Sequence, residues 1–307
     1  MGVPAHPLRG YLLIACAALC WGASATLGKA VFNGALAGRT AINPLIIAQT
    51  RTTFSFLVFA PMLLFSRGAR ALRIGRRDLL QCILIGILGV AGSNFFYYYA
   101  IQKSTVATAI TVQYTAPVWV LLYMAARGEQ RATVYRLVAV AMALLGCALV
   151  VGAGSSRFSF SSVGVLAAFV AALSYSFYNV AGARMVGRHA SWRVMLYALM
   201  GAAIFWTIMN PPWKIVAQHY SSMQWVFLAA FAMVSMLLPY NLYFAGLHYL
   251  DATKAVVTSC LEPVFAIVLA ATFVAESIHP LQGIGIALVL AATVLIQMPD
   301  RAATRLP

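Results

Sequence analysis

Acidic residues are nearly absent from this chain: six of 307 are Asp or Glu, namely Asp78, Glu129, Asp251, Glu262, Glu276 and Asp300. No two are closely spaced within one apolar run, so the paired carboxylates that hold magnesium for diphosphate chemistry are missing. His and Cys form no cluster at metal-ligand spacing. Charge of either sign is scarce, at 9% of residues, where a soluble domain carries about 25%. Long polar stretches are missing too: Asn33 to Asn43 is among the longest loops, which leaves no room for a soluble catalytic domain. The five cysteines, Cys16, Cys20, Cys82, Cys147 and Cys260, lie inside apolar runs and read as free, packed thiols with no disulfide or zinc role. An enzyme, a metal centre and a cofactor are therefore not expected.

What is present is apolar. Hydrophobic residues make up 63% of the chain, the composition of an all-α integral membrane protein. Ten apolar runs, near 10–32, 44–66, 79–101, 105–125, 132–152, 162–184, 191–209, 223–247, 252–274 and 280–298, have the length that crosses a hydrocarbon core. The first run is followed by Lys29 and a polar loop with no cleavage site, and reads as a retained span.

The net charge of +15 is spread through short gaps between these runs, the pattern of membrane topology; no nucleic-acid partner is expected, and anionic lipid is the natural counter-charge. With the N-terminus inside, the inner segments hold Arg9, Arg67, Arg70, Arg73, Arg76, Arg77, Arg127, Arg131, Arg136, Arg184, Arg188, Arg193, Lys254, Arg301 and Arg305. The outer loops hold Arg39, Lys103, Arg157 and Lys214. Fifteen against four places both termini in the cytoplasm.

The chain contains itself twice. Thr105 to Pro117, TVATAITVQYTAP, is echoed by Asp251 to Pro263, DATKAVVTSCLEP; Tyr98-Tyr99-Ala100 by Tyr243-Phe244-Ala245; and Ala17 to Trp21 by Ala171 to Tyr175. The expected units are residues 1–155 and 156–307, five helices each. Five is odd, so the second repeat inserts with opposite orientation. Such inverted repeats place a midplane site between them and open it to either side.

Pro117 and Pro263 fall about a dozen residues into their helices, near the bilayer midplane. Each leaves the carbonyl four residues earlier, of Gln113 and of Ser259, without its helical donor. These carbonyls either take a substrate ammonium or mark bends that serve packing alone.

Trp21, Ser24 and Gly28 share one face of the first helix, and Tyr175, Tyr178 and Gly182 the matching face of the sixth, surfaces suited to stacking a ring. In the third span Asn94, Tyr97 and Tyr98 cluster, with Pro239, Tyr240, Asn241, Tyr243, Phe244 and His248 as their counterparts in the eighth. Amides are costly in lipid, so Asn94 and Asn241 should point inward, to bridge helices or to touch substrate. His248 reads as interfacial. Gly86, Gly89 and Gly92, like Thr105, Thr108 and Thr115, have the spacing of close helix packing. Three charges lie within spans: Glu262 at mid-depth, and Lys29 and Arg51 nearer the outer side. Glu262 is either a proton-coupling carboxylate or a structural group that pairs with Arg51 or bonds a neighbouring helix; its repeat partner is Ala116. Lys29 and Arg51 either attract a substrate carboxylate or snorkel to the interface.

The five-plus-five plan, Trp21-Gly22, Pro117, Glu262-Pro263 and Glu276 resemble the drug/metabolite transporter superfamily, and within it the EamA-type exporters, more narrowly the bacterial aromatic amino acid exporters. The resemblance runs from Leu12 to Gln297. It implies a multi-pass protein of the bacterial inner membrane, expected as a monomer, that exports an amino acid or related metabolite by alternating access. The cavity, lined by the first, third, fourth, sixth, eighth and ninth spans, is expected to be aromatic and largely uncharged. The alternative is a proton-coupled drug or cation exporter that uses Glu262.

Overall fold

The computed structural model describes residues 7–32, 43–152, 161–273 and 278–298. Arg39, Arg157, Glu276, Arg301, Arg305 and the expected boundary at residues 155 and 156 lie outside them. Every regular element among the described residues is helical: α1 (Pro7–Phe32), α2 (Pro44–Leu72), α3 (Arg76–Leu84), α4 (Gly92–Lys103), α5 (Val106–Gln113), α6 (Ala116–Ala126), α7 (Val134–Gly152), α8 (Ser162–Val186), α9 (Ser191–Met209), α10 (Pro212–Val216), α11 (Ser222–Ala232), α12 (Leu238–Leu247), α13 (Ala252–Ser259), α14 (Leu261–Phe273) and α15 (Pro280–Leu295). Several join into longer spans. Among the described residues nine helices are long and apolar enough to cross a membrane, and α15 is a shorter apolar helix that falls on the tenth run.

Local chemistry sets the ends and the breaks. Asn43 caps α2 by accepting from the Leu45 amide at 2.9 Å, Thr105 caps α5 by accepting from Thr108 at 3.2 Å, and Asp251 caps α13 by accepting from Lys254 at 2.9 Å. The fourth and ninth spans are interrupted just before their prolines. At Thr115 and Cys260 the backbone N–H bonds the carbonyl three residues back, of Val112 and Val257, each at 3.1 Å. The turn tightens where the proline cannot donate.

The third and eighth spans carry a feature with no signature in the apolar pattern. Ile85–Ala91 joins α3 to α4, and Met233–Leu237 joins α11 to α12, as π-helical stretches. A π bulge displaces carbonyls from their regular donors. In each span an asparagine supplies one: Asn94 donates to Val90 O at 2.7 Å and Asn241 to Leu237 O at 2.7 Å.

Helices approach through small residues, as packing without a hydrophobic drive requires. A Cβ on Gly86 would stand 2.0 Å from the carbonyl oxygen of Ala198, and one on Gly89 would stand 2.9 Å from Cβ of Tyr178. α7 lies along α15 with Gly146 and Gly285 face to face, where an added Cβ would come within 2.8 and 2.7 Å of the other's carbonyl oxygen. Gly22 does the same for α1 on α14: a Cβ there would lie 2.9 Å from the Glu262 carbonyl oxygen. Large apolar side chains such as Leu57, Phe65, Ile208 and Val294 cover the outside, as lipid demands.

Two polar clasps tie helix ends together. Arg136, buried on α7, pairs with Asp251 at 3.1 Å and donates to Gln130 Oε1 at 2.8 Å, which also accepts from Thr253. Arg184 pairs with Glu129 and donates to the Tyr123 hydroxyl.

Candidate functional site

Helical spacing builds a ring cluster at the middle of the bundle. Tyr175 and Tyr178 lie one turn apart on α8, and Tyr240 and Tyr243 one turn apart on α12, so each helix turns a pair of rings to one side. The pairs meet. Tyr178 stacks on Tyr175 and Tyr243, each with centroids 5.6 Å apart, and lies edge-on to Tyr240 and Phe244. Trp21 of α1 closes the group, 5.2 Å from Tyr240 and 5.5 Å from Tyr243. Gly22 brings α1 close enough to α14 to put Trp21 there.

Polar groups border the rings. The Arg51 guanidinium donates to Asn94 Oδ1 and lies 5.7 Å from the Tyr98 ring centroid; the Asn94 amide also reaches the Tyr240 hydroxyl at 3.2 Å. The Tyr175 hydroxyl donates to Ser259 Oγ at 3.1 Å, and Ser259 donates onward to Val256 O at 2.7 Å. The Tyr243 hydroxyl donates to Asn179 Oδ1, whose amide holds Tyr175 O at 2.8 Å. Glu262, half-buried, faces the Tyr114 hydroxyl. Arg51 and Glu262 carry charges of opposite sign near this network. Among the described residues no ion pair of 4.0 Å or less joins them. Of the donors buried without a protein partner among the described residues, two belong to this site, the Tyr178 hydroxyl and Arg51 Nε.

Of the residues singled out in the sequence, Trp21, Asn94, Tyr98, Tyr175, Tyr178, Tyr240 and Ser259 come together in this network, with Tyr97 beside Tyr98 at 5.3 Å between ring centroids. Pro117 and Pro263 are buried just after the breaks in their spans. Arg51, expected nearer the outer side, reaches the cluster through Asn94. Three residues stand apart: Ser24 donates to Cys20 O of its own helix at 2.7 Å, Asn241 is spent on Leu237 O, and Gln113 is half-buried at the end of α5. The side chain of Lys29 lies outside the described part of the structure. Among the groups that border the rings, Arg51 carries a charge. Tyr114 and Asn179 were not anticipated. Asn179 follows Tyr175 by four residues on the same face, a spacing that marks it; Tyr114 lies within the proline turn itself.

A sequence model described as the EamA-like transporter family matches this chain twice, over residues 8–152 and 162–298. The inner membrane transporter YicL of Salmonella typhimurium is 22% identical over 302 residues, spanning 97% of this chain and 98% of that one. The threonine/homoserine exporter RhtA of Escherichia coli K12 is 26% identical over 282 residues, 92% of this chain and 88% of that one. A transporter of Archaeoglobus fulgidus is 27% identical over 256 residues, 82% and 86% of the two chains. A protein of known crystal structure has the same fold, with a TM-score of 0.77 and 22% identity over 99% of each chain.

Proposed function

Since this chain belongs to the EamA-like transporter family, we propose that it exports amino acids with aromatic or other large apolar side chains, bound one at a time against the central rings. The observation that carries this reading is that a cation, Arg51, is held at the edge of the rings by Asn94 and Tyr98 with its Nε buried and without a protein partner among the described residues, while the half-buried Glu262 of α14 forms no ion pair with it. An amino acid zwitterion has the complementary form: an anion, a cation and an apolar body. Arg51 with Asn94 takes the carboxylate, Glu262 takes the ammonium, and the rings of Trp21, Tyr178 and Tyr240 take the side chain by edge and face contacts. Each charge already has a neutral neighbour, Asn94 or Tyr114, so the substrate exchanges one hydrogen bond for another. Binding is then weak enough to permit release, as conduction through a site requires.

Alternating access between two inverted halves fits three features that occur twice: the family match, the break before Pro117 and Pro263, and the asparagine that serves each π-helical stretch. The relatives named as exporters of threonine and homoserine favour an amino acid as cargo; the ring cluster favours an aromatic one. The inner membrane of a bacterium is the proposed location.

Proteoliposome counterflow of Phe, Trp, Leu, Thr and a cationic dye, with and without a pH gradient, tests this. Preferred exchange of Phe, Trp and Leu with no gradient is expected. Dye movement that requires a proton gradient, abolished in Glu262→Gln, would replace this reading with a coupled exporter.

A further inference from the structure

At one end of the bundle, arginines gather with no carboxylate among the described residues paired to them. Arg67, Arg70, Arg73, Arg76 and Arg77 are all exposed, and among the described residues none is in an ion pair. The nearest acid in sequence, Asp78, is engaged by His189 at 2.8 Å and Arg188 at 3.9 Å. Gly68, at φ +75°, turns the chain at this point. Leu72 and Ile74 then pack on the core, and the Tyr197 hydroxyl of α9 donates to Leu72 O, which holds the segment against the bundle.

The cluster has a centre. The guanidiniums of Arg67 and Arg193 lie over one indole, that of Trp192, at 4.8 and 5.1 Å from its ring. Arg193 Nε is buried without a protein partner among the described residues. Two like charges on one ring repel, and Arg193 stands in the first turn of α9, where the helix dipole disfavours a cation and no acidic residue offsets it. An anion held by both guanidiniums would relieve each of these costs. The neighbouring surface is apolar, with Phe65 87% exposed beside exposed Leu64, so an anion that carries hydrocarbon fits better than a free one.

We propose that Arg67, Trp192 and Arg193 bind the phosphate of an anionic phospholipid whose acyl chains lie on the surface that begins at Leu64 and Phe65. Two forked guanidiniums suit a phosphate diester, and an indole at the headgroup level suits the interface.

The full chain in nanodiscs tests the site. As phosphatidylglycerol replaces phosphatidylcholine, the thermal unfolding midpoint should rise, and the half-saturating fraction should be about twentyfold higher for Arg67→Gln/Arg193→Gln. Equal titrations of wild type and variant would reduce the effect to diffuse surface charge and overturn the proposal. Inorganic phosphate in pure phosphatidylcholine discs should give no shift; the same shift there would make this a soluble-anion site and overturn the lipid assignment. If the double variant does not fold, doxyl-labelled lipids decide. The fluorescence lost in Trp192→Phe should be quenched more by labelled phosphatidylglycerol than by labelled phosphatidylcholine, and equal quenching would refute the site.

Discussion

The Arg51 guanidinium donates to the side-chain oxygen of Asn94, and the amide nitrogen of the same Asn94 donates to Val90 O and reaches the Tyr240 hydroxyl. One amide thereby joins α2, α4 and α12 at the edge of the rings. Its oxygen and both of its amide hydrogens are engaged, so a ligand that takes the same Arg51 nitrogen must compete with Asn94, whereas Arg51 Nε stands without a protein partner among the described residues.

The first prediction concerns that competition. Arg51→Gln should raise KM for phenylalanine in counterflow by roughly ten- to a hundredfold, the loss of a charge-assisted hydrogen bond. Phenethylamine, which lacks the carboxylate, should change little. Equal losses for both compounds would show that Arg51 holds the bundle together and does not read the substrate.

A second prediction separates close packing from open surface. The Cβ of Gly86→Ala would meet the Ala198 carbonyl oxygen at 2.0 Å, a backbone contact that cannot swing aside, and overpacking of this kind costs about 1–3 kcal/mol. Gly283 on α15 has nothing within 4 Å of an added Cβ, and Gly283→Ala should gain up to ~1 kcal/mol from helix propensity. Thermal unfolding in micelles should move in opposite directions for the two variants.

The third concerns the clasp between α7 and α13. Asp251→Asn keeps the oxygen that caps α13 but removes the carboxylate from Arg136, whose side chain is 8% exposed. Stripping a partner from a buried ion typically costs ~3–5 kcal/mol, and Gln130, still an acceptor for Arg136, should hold the loss to about 3. Thr253→Ala should cost less, because it removes a neutral hydroxyl. A Thr253→Ala variant less stable than Asp251→Asn would contradict this account.

The spans were legible because hydrocarbon imposes length and composition on every helix that meets it: each apolar run falls on a helix, and the prolines mark the interruptions of the fourth and ninth. The tyrosine stripe of α8 was legible for a similar reason, since a turn of helix fixes which residues share a face. What stayed hidden depends on contacts between distant segments. Arg51 looked peripheral by depth along its own helix; a long flexible side chain carries its charge away from its Cα, and only the position of α4 shows where it ends. Asn94 and Asn241 read as equals in the sequence. Both serve a π-helical stretch, but Asn94 alone also reaches across the bundle, because Arg51 and Tyr240 stand opposite it. The π-helical stretches themselves leave no trace in hydrophobic periodicity, since they displace the register without altering which residues are apolar.

The glycine seam between α7 and α15 has a practical consequence. Gly146 and Gly285 each pack against the other's carbonyl oxygen, with Val289 and Leu149 closing the seam beside them. Helices joined this way travel as one strut, so dyes placed on the ends of α7 and α15 should keep a constant separation through a transport cycle. That seam is the natural fixed frame against which single-molecule distance measurements can score the movement of every other helix.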